Sequence, residues 1–433
     1  MRGMANRPVL KLVEDKDISL KSDSLNSVAL DGNIASRHGV CDDVRKRFIG
    51  DLWSSGKPQM HSLHYIIHYK DSFKPEVPDF CIKRFSKLGD VVFDPFCGRG
   101  TTVLQANLLG RKGWGSDANP LAVSITKAKI NPVRLDEVVL RLNEVSFWRP
   151  VDISGFNERF APFYHPDTYR ELINLRAFIA SNSDSISRFI ELLAISRLHG
   201  HSASFFSGYS FPHVSISPDV QRLVNSKRRE VPDYRAVAPR IIKRAAQSVC
   251  DGVSSDFFAI SAESKIQESD ARSLAWIQNN SVDLIVTSPP LPDKVEYKSD
   301  SWLADNWLEL WFTNANTRRF VNGRGVFESL TDWQGFMHDA LYEMLRILKP
   351  QSHAVIEVKE VDMKNSSIVS LDDVVLEIAR KVNCNQKQFV VEEVMVNKQA
   401  SAKLSNRFKC DDGTKDTKIN KLVVLKCVNS KWR

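Results

Sequence analysis

The sequence predicts an α/β fold: a Rossmann-like parallel sheet interrupted by a mainly helical insertion. Three observations predict it. A β-branched apolar run, Asp90 to Phe93, enters a turn with Gly98 and Gly100 and then a helix over 101–109. A second short strand follows, ends in Asp117, and gives way to a helix over 121–129. Strand, glycine turn, helix, strand, acid, helix is a βαβ unit and requires parallel strands. Between residues 132 and 262 the apolar spacing becomes that of helices, and strand-like runs resume only at 281–287, SVDLIVT.

The elements can be justified in chain order. Residues 1–55 are polar and mixed, and are expected to form a tail or loose cap. Residues 75–85, PEVPDFCIKRF, have the spacing of a short amphipathic helix. Gly110 closes the helix over 101–109, and GWG at 113–115 leads into the second strand. The inserted region, 132–262, carries helices over 167–180 and 185–197. A loop rich in Ser, His and aromatic residues follows over 198–218. After the strand at 281–287 come a helix at 333–348, a strand at 353–358, a helix at 371–382, and strands at 389–396 and 421–428. Residues 56–131 and 263–433 therefore form one α/β domain, with 132–262 inserted into it.

Composition excludes several classes. Hydrophobic residues make up 42% and charged residues 26% of the 433 positions, as in ordinary globular proteins. No apolar run reaches the roughly 18–20 residues of a membrane helix, and no apolar stretch follows the N-terminal charges as a secretory signal would need. The 7 cysteines include no C-x-x-C pair, which fits a reducing cytoplasm and no bound metal. The net charge is +8. Arg222 to Arg244 holds eight Lys and Arg against two acids, a net of +6, and Lys398 to Lys421 holds seven against three, a net of +4. Two basic clusters suit phosphate contact and equally suit two solvated faces.

Three motifs carry chemistry. In Asp94-Pro95-Phe96-Cys97-Gly98-Arg99-Gly100-Thr101-Thr102 a strand ends in an acid and runs into a glycine turn. Glycines let backbone approach a ligand, and the following helix offers free N–H groups to the same space. Two glycines alone fit many tight turns. Asp117, at the end of the next strand, is placed to accept from both hydroxyls of a ribose, or to cap the next helix. The third motif, Ser288-Pro289-Pro290, ends the 281–287 strand. Two prolines stiffen the exit, and the Ser288 hydroxyl and the carbonyl before Pro290 can accept the two protons of an exocyclic amine.

Taken together, these motifs resemble those of the S-adenosylmethionine-dependent DNA amino-methyltransferases, specifically the cytosine-N4 group. That family carries D-P-F-x-G-x-G-T-T, an acid after the second strand, and S-P-P followed by an aromatic residue. Asp117-Ala-Asn-Pro resembles its acid-x-Asn-Pro run, Asp270-Ala-Arg-Ser-Leu its adenine-contacting acid, Leu345 to Pro350 the helix end before its fifth strand, and Phe73-Lys74-Pro75-Glu76 the segment that closes over the methionine end. The likeness covers about residues 60–130 and 262–428. It implies the class I methyltransferase form of the Rossmann-like sheet, S-adenosylmethionine as cofactor, and DNA as partner, in a restriction-modification setting with a cognate nuclease.

Carried over by position, the resemblance implies that Gly98, Gly100 and Thr101 cradle the amino-acid part of the cofactor, with Asp94 near its amino group and Phe73 in the segment over its methionine end, and that Pro95 and Phe96 also bind the cofactor. Asp117 would bind its ribose and Asp270 its adenine. Ser288, Pro289 and Pro290 would hold the target amine for direct methyl transfer on a flipped base. Ser rather than Asp or Asn before Pro-Pro favours cytosine N4, with adenine N6 the alternative. Cytosine-C5 chemistry needs a Pro-Cys nucleophile, which the sequence lacks. Cys97 is expected to serve packing.

One position departs from the family: Leu291 stands where an aromatic residue would stack on the base. Such stacking contributes on the order of 1–3 kcal/mol. Tyr297, Trp302 or Trp307 could offer a substitute face, and a non-catalytic relative is the competing reading. Target recognition is expected in the insert, where Phe205, Phe206, Tyr209 and Phe211 precede a basic run with Arg222, Lys227, Arg228 and Arg229. Those aromatics suit the insert's own core equally well. The 398–421 segment is a second candidate DNA contact. His199, His201 and His213 lack metal-ligand spacing.

Overall fold

The computed structural model describes residues 11–13, 47–50, 60–68, 74–208, 217–292, 307–314, 327, 329–363, 367–397 and 420–430. Among these residues eleven strands form one sheet: β1 (Lys11–Val13), β2 (Arg47–Gly50), β3 (Val91–Asp94), β4 (Lys112–Asp117), β5 (Lys265–Glu268), β6 (Val282–Thr287), β7 (Leu348–Met363), β8 (Ser367–Ser370), β9 (Asn383–Cys384), β10 (Lys387–Asn397) and β11 (Asn420–Asn429). Their order is β1-β2-β10-β11-β7-β6-β3-β4-β5, with β8 on β7 and β9 on β10. The pairs β7–β6, β6–β3, β3–β4 and β4–β5 are parallel. β11 lies antiparallel between β7 and β10. This is a Rossmann-like, doubly wound sheet, its parallel strands closed by an antiparallel pair.

Helices cover both faces: α1 (Glu76–Phe85), α2 (Thr101–Leu108), α3 (Pro120–Lys129), α4 (Leu135–Asn143), α5 (Phe156–Arg159), α6 (Pro166–Ser181), α7 (Ser185–Ile195), α8 (Pro218–Arg228), α9 (Val237–Ser248), α10 (Ser255–Ser261), α11 (Leu330–Ile347) and α12 (Leu371–Lys381). The faces follow from strand alternation. Phe93, Ile285, Ala354 and Ile356 pack with Leu341 of α11 and Val375 of α12. Their neighbours Val92, Leu284, Val286 and Val355 pack with Val77 and Cys81 of α1. Both faces of each central strand are buried, which explains runs such as Leu-Ile-Val with no polar alternation.

The inserted helices do not stand apart. Val138, Leu172, Phe189 and Ile241 share one hydrophobic cluster with Val103 of α2 and Leu121 and Ile125 of α3. The segment expected as a tail contributes more than a cap: β2 runs parallel to β10, and β1 pairs with β2. Strands of three and four residues are too short to leave a readable period. No helix among the described residues is long and apolar enough to cross a membrane.

Candidate active site

The glycine turn joins β3 to α2. Asp94 is buried, and its Oδ1 accepts from the Phe96 N–H at 3.1 Å and the Thr287 hydroxyl at 2.6 Å. Burial pushes its carboxyl up to about 6. The Cys97 N–H donates to the Ser116 carbonyl at 2.9 Å, and the Gly100 N–H to the Cys97 carbonyl at 2.7 Å. Gly98 and Gly100 have φ of 49° and 72°, where side chains strain the backbone. A Cβ on Gly100 would also lie 2.7 Å from the Thr126 side chain. Cys97 is buried against Thr126, so its place in the turn is packing, as expected.

Asp117 ends β4 beside this turn. Its Oδ2 accepts from the Gly98 N–H and its Oδ1 from the Asn119 N–H, both at 2.9 Å. The cap of α3 is Asn119, which accepts from the Leu121 N–H at 3.0 Å, so helix capping does not explain Asp117. A carboxylate offers about four acceptor sites, and two hydrogen bonds leave room for more. Burial raises this carboxyl too, to about 6.

Ser288, Pro289 and Pro290 continue from β6, the parallel neighbour of β3. The Thr102 hydroxyl of α2 donates to the Val286 carbonyl at 3.2 Å, and Thr287 reaches Asp94. The Trp333 indole N–H donates to the Pro290 carbonyl at 2.7 Å. Trp333 is fully buried in α11, where an indole N–H needs a partner. The glycine turn, Asp117 and Ser-Pro-Pro thus open at the carboxyl edge of adjacent parallel strands, where ligands bind in doubly wound sheets.

Asp270 follows β5 and is already engaged. The Arg272 backbone N–H and Nε donate to Oδ1 at 2.9 and 3.0 Å, and Nη2 donates to Oδ2 at 2.8 Å. The guanidinium also lies 5.4 Å from the Phe336 ring centre, and Phe336 lies 5.7 Å from Phe96. Phe96, Phe336 and Leu291 all pack, half-buried, against the α11 side of the core. Neither Trp333 nor Phe336 was singled out in the sequence. A buried tryptophan on an apolar helix face looks like packing until its N–H partner is seen.

The remaining candidates divide. Phe73, Tyr297, Trp302, Tyr209, Phe211, His213 and nearly all of the 398–421 segment lie outside the described residues. Trp307 packs 5.5 Å from both Phe160 and Phe163, so its ring serves the insert's core rather than a base. Phe206 is buried in the same core, and Phe205 lies under the Arg197 guanidinium at 4.3 Å. Lys421 is buried on Asp372 and Ser370, which removes it as a DNA contact.

Within the basic run, Arg222 donates to the carbonyls of Asn157 and Glu158, Arg235 to those of Ser202 and Phe205, and Arg244 to those of Tyr65 and Ile66. These arginines tie loops to helices. Lys227, Arg228 and Arg229 stand exposed at the end of α8.

The family model for DNA methylases of the N6/N4 type matches residues 9–128, which include the glycine turn and Asp117 but not Ser288. The type II methyltransferase M.MjaII of Methanocaldococcus jannaschii is 35% identical over 80 residues, 18% of this chain and 15% of that protein. The type II methyltransferase M.BsoBI of Geobacillus stearothermophilus is 40% identical over 62 residues, 14% of this chain and 12% of that protein. A protein of Methanothermococcus thermolithotrophicus named "Probable tRNA (guanine(10)-N2)-dimethyltransferase" is 32% identical over 78 residues, 18% of this chain and 46% of its own length. The chain therefore spans less than half the length of each of these relatives.

Proposed function

We propose that the chain transfers a methyl group from S-adenosylmethionine to an exocyclic amine in DNA, and that the amine is cytosine N4. The observation that carries this reading is the 2.6 Å hydrogen bond from Thr287 to Asp94. It locks the strand that leads into the glycine turn to the strand that leads into Ser-Pro-Pro. A cofactor on the first and an amine on the second would meet at one edge.

The donor set fits the cofactor. Asp117 keeps acceptor capacity for a ribose, and Gly98 and Gly100 remove side chains from the turn. Thr101 opens α2, whose first N–H groups lack intrahelical partners. Asp270 fits only if Arg272 yields one oxygen to an adenine amine. S-adenosylmethionine, when bound, supplies a sulfonium methyl open to direct displacement.

The chain's own residues would orient the acceptor. The Ser288 hydroxyl oxygen and the Pro289 carbonyl would each accept a hydrogen bond from one amine N–H and aim the nitrogen lone pair at the methyl group; one N–H remains in the product and the other proton is released as the N–C bond forms. Trp333 holds the Pro290 carbonyl, so the exit loop does not swing as the base enters. The base must leave its duplex to reach this edge, and the exposed Lys227, Arg228 and Arg229 would contact phosphates. Ser before Pro-Pro is the feature that favours cytosine.

A product assay tests the reading. The protein is incubated with methyl-labelled S-adenosylmethionine and, in separate reactions, unmethylated DNA and unmethylated tRNA, and each polymer is digested and analysed by mass spectrometry. N4-methylcytosine is expected. N6-methyladenine would overturn the base assignment, and N2-methylguanosine formed only in tRNA would overturn DNA as substrate. Cofactor binding with no product on either polymer would favour a non-catalytic relative.

A further inference from the structure

Two side chains of α3 reach the glycine turn. The Thr126 hydroxyl donates to the Gly98 carbonyl at 3.2 Å, and the Lys129 ammonium donates to the Arg99 carbonyl. Lys129 is completely buried. Buried lysines are normally paired with a carboxylate, yet no ion pair joins Lys129 to an acid among the described residues. Burial pushes its amine well below the usual lysine range, and the Arg99 charge pushes it the same way. An unpaired buried amine is costly, and an apolar side chain would fill the space at lower cost. Packing alone does not account for it.

The geometry accounts for it better. Glycines deprive a turn of the restraint that side chains impose, so its shape has to be set by neighbours. In a trans peptide the C=O and N–H point in opposite directions. Thr126 draws the carbonyl of the 98–99 peptide toward α3, which turns the Arg99 N–H away from α3. Lys129 draws the carbonyl of the 99–100 peptide the same way, which turns the Gly100 N–H to the Cys97 carbonyl. An amine donates this bond whether charged or neutral.

We propose that Lys129 is a positioning residue that holds the glycine turn in the shape that receives the amino-acid end of the cofactor. This rests on the reading of the turn given above. The test compares the unaltered protein with Lys129→Met by calorimetric titration of two ligands. S-adenosylhomocysteine carries the amino-acid end, and 5′-methylthioadenosine lacks it. The expected result is a Kd for S-adenosylhomocysteine raised at least tenfold, with that for 5′-methylthioadenosine within threefold. The rate at saturating cofactor should stay within a few-fold, separating KM from kcat.

A structural role alone would weaken both ligands together, and that outcome overturns the proposal. So does a variant that binds S-adenosylhomocysteine as tightly as the unaltered protein. Should Lys129→Met fail to fold by circular dichroism, Thr126→Val removes the companion bond, and the same selective loss is required of it. If the unaltered protein binds neither ligand, the cofactor reading falls and this proposal falls with it.

Discussion

The Thr287 hydroxyl donates to the Asp94 carboxylate across 2.6 Å, from the last residue of β6 to the last residue of β3. Both side chains are buried. The bond joins two sequence motifs almost two hundred positions apart, and it is one of the donors that let an acid persist in the sheet. Thr287→Val keeps the shape and removes the donor. A buried acceptor left short of a partner costs about 1–3 kcal/mol. Urea unfolding should show that loss at pH 8, where Asp94 is ionised, and a smaller one at pH 5, where it is protonated. Equal losses at the two pH values would contradict the argument.

The raised carboxyls set opposite pH trends for stability and binding. Burial lifts Asp94 and Asp117 to about 6 and Glu357 to about 7. Unfolded, these groups titrate near 4, so the folded chain binds their protons more tightly. Their contribution to stability is therefore complete below pH 4 and is lost as pH rises through 6 to 7. Acidification from pH 8 to pH 5.5 should stabilise the protein through these three groups. Cofactor affinity should weaken over the same interval, because a protonated Asp117 is a poorer acceptor for a ribose. Melting temperature and cofactor Kd, measured together from pH 5 to 8, check the opposed signs.

Trp333 lies outside the motifs yet bonds the Pro290 carbonyl of one of them. Trp333→Phe keeps an aromatic ring in the core but leaves the Pro290 carbonyl without its indole donor. The expected result is a methyl-transfer rate lower by about tenfold, equivalent to about 1.4 kcal/mol. Cofactor Kd should stay within twofold, because no cofactor-binding candidate touches this bond. Steady-state kinetics at saturating cofactor and a parallel titration separate the two. A change confined to cofactor affinity would place Trp333 elsewhere in the function.

How far the site was legible in the sequence follows from where each residue lies. Asp94, Gly98, Gly100, Asp117 and Ser288 sit at strand ends, and strand-end chemistry follows strand order. Trp333, Thr126 and Lys129 reach the site from helices, whose patterns report packing and not what a single polar atom meets. Lys129 did leave a signal. It lies four residues after Ile125 on the buried face of α3, where a lysine is out of place. Asp270 stands out in the sequence only by its place before the 281–287 strand, and its bonds to Arg272 depend on side-chain geometry that no sequence pattern reports. The insert's helical spacing is legible in the sequence, but its sharing of one core with α2 and α3 depends on contacts distant in sequence.

Charge in the sequence does not tell a cation that ties a loop to a helix from one at an exposed helix end, and this yields the last prediction. Arg222, itself exposed, bonds to carbonyls of the α5 segment, and Lys227, Arg228 and Arg229 are exposed on the last turn of α8 and just beyond it. Replacing those three by Ala should weaken DNA binding uniformly across sequences. Each lost phosphate contact should make the negative slope of log K against log salt shallower by about 0.9. Arg222→Ala should instead leave that slope near its original value and lower the melting temperature, because it frees α8 from residues 157 and 158. Fluorescence anisotropy from 50 to 200 mM salt distinguishes the two variants. An unchanged slope in the triple variant would remove the end of α8 from the DNA interface.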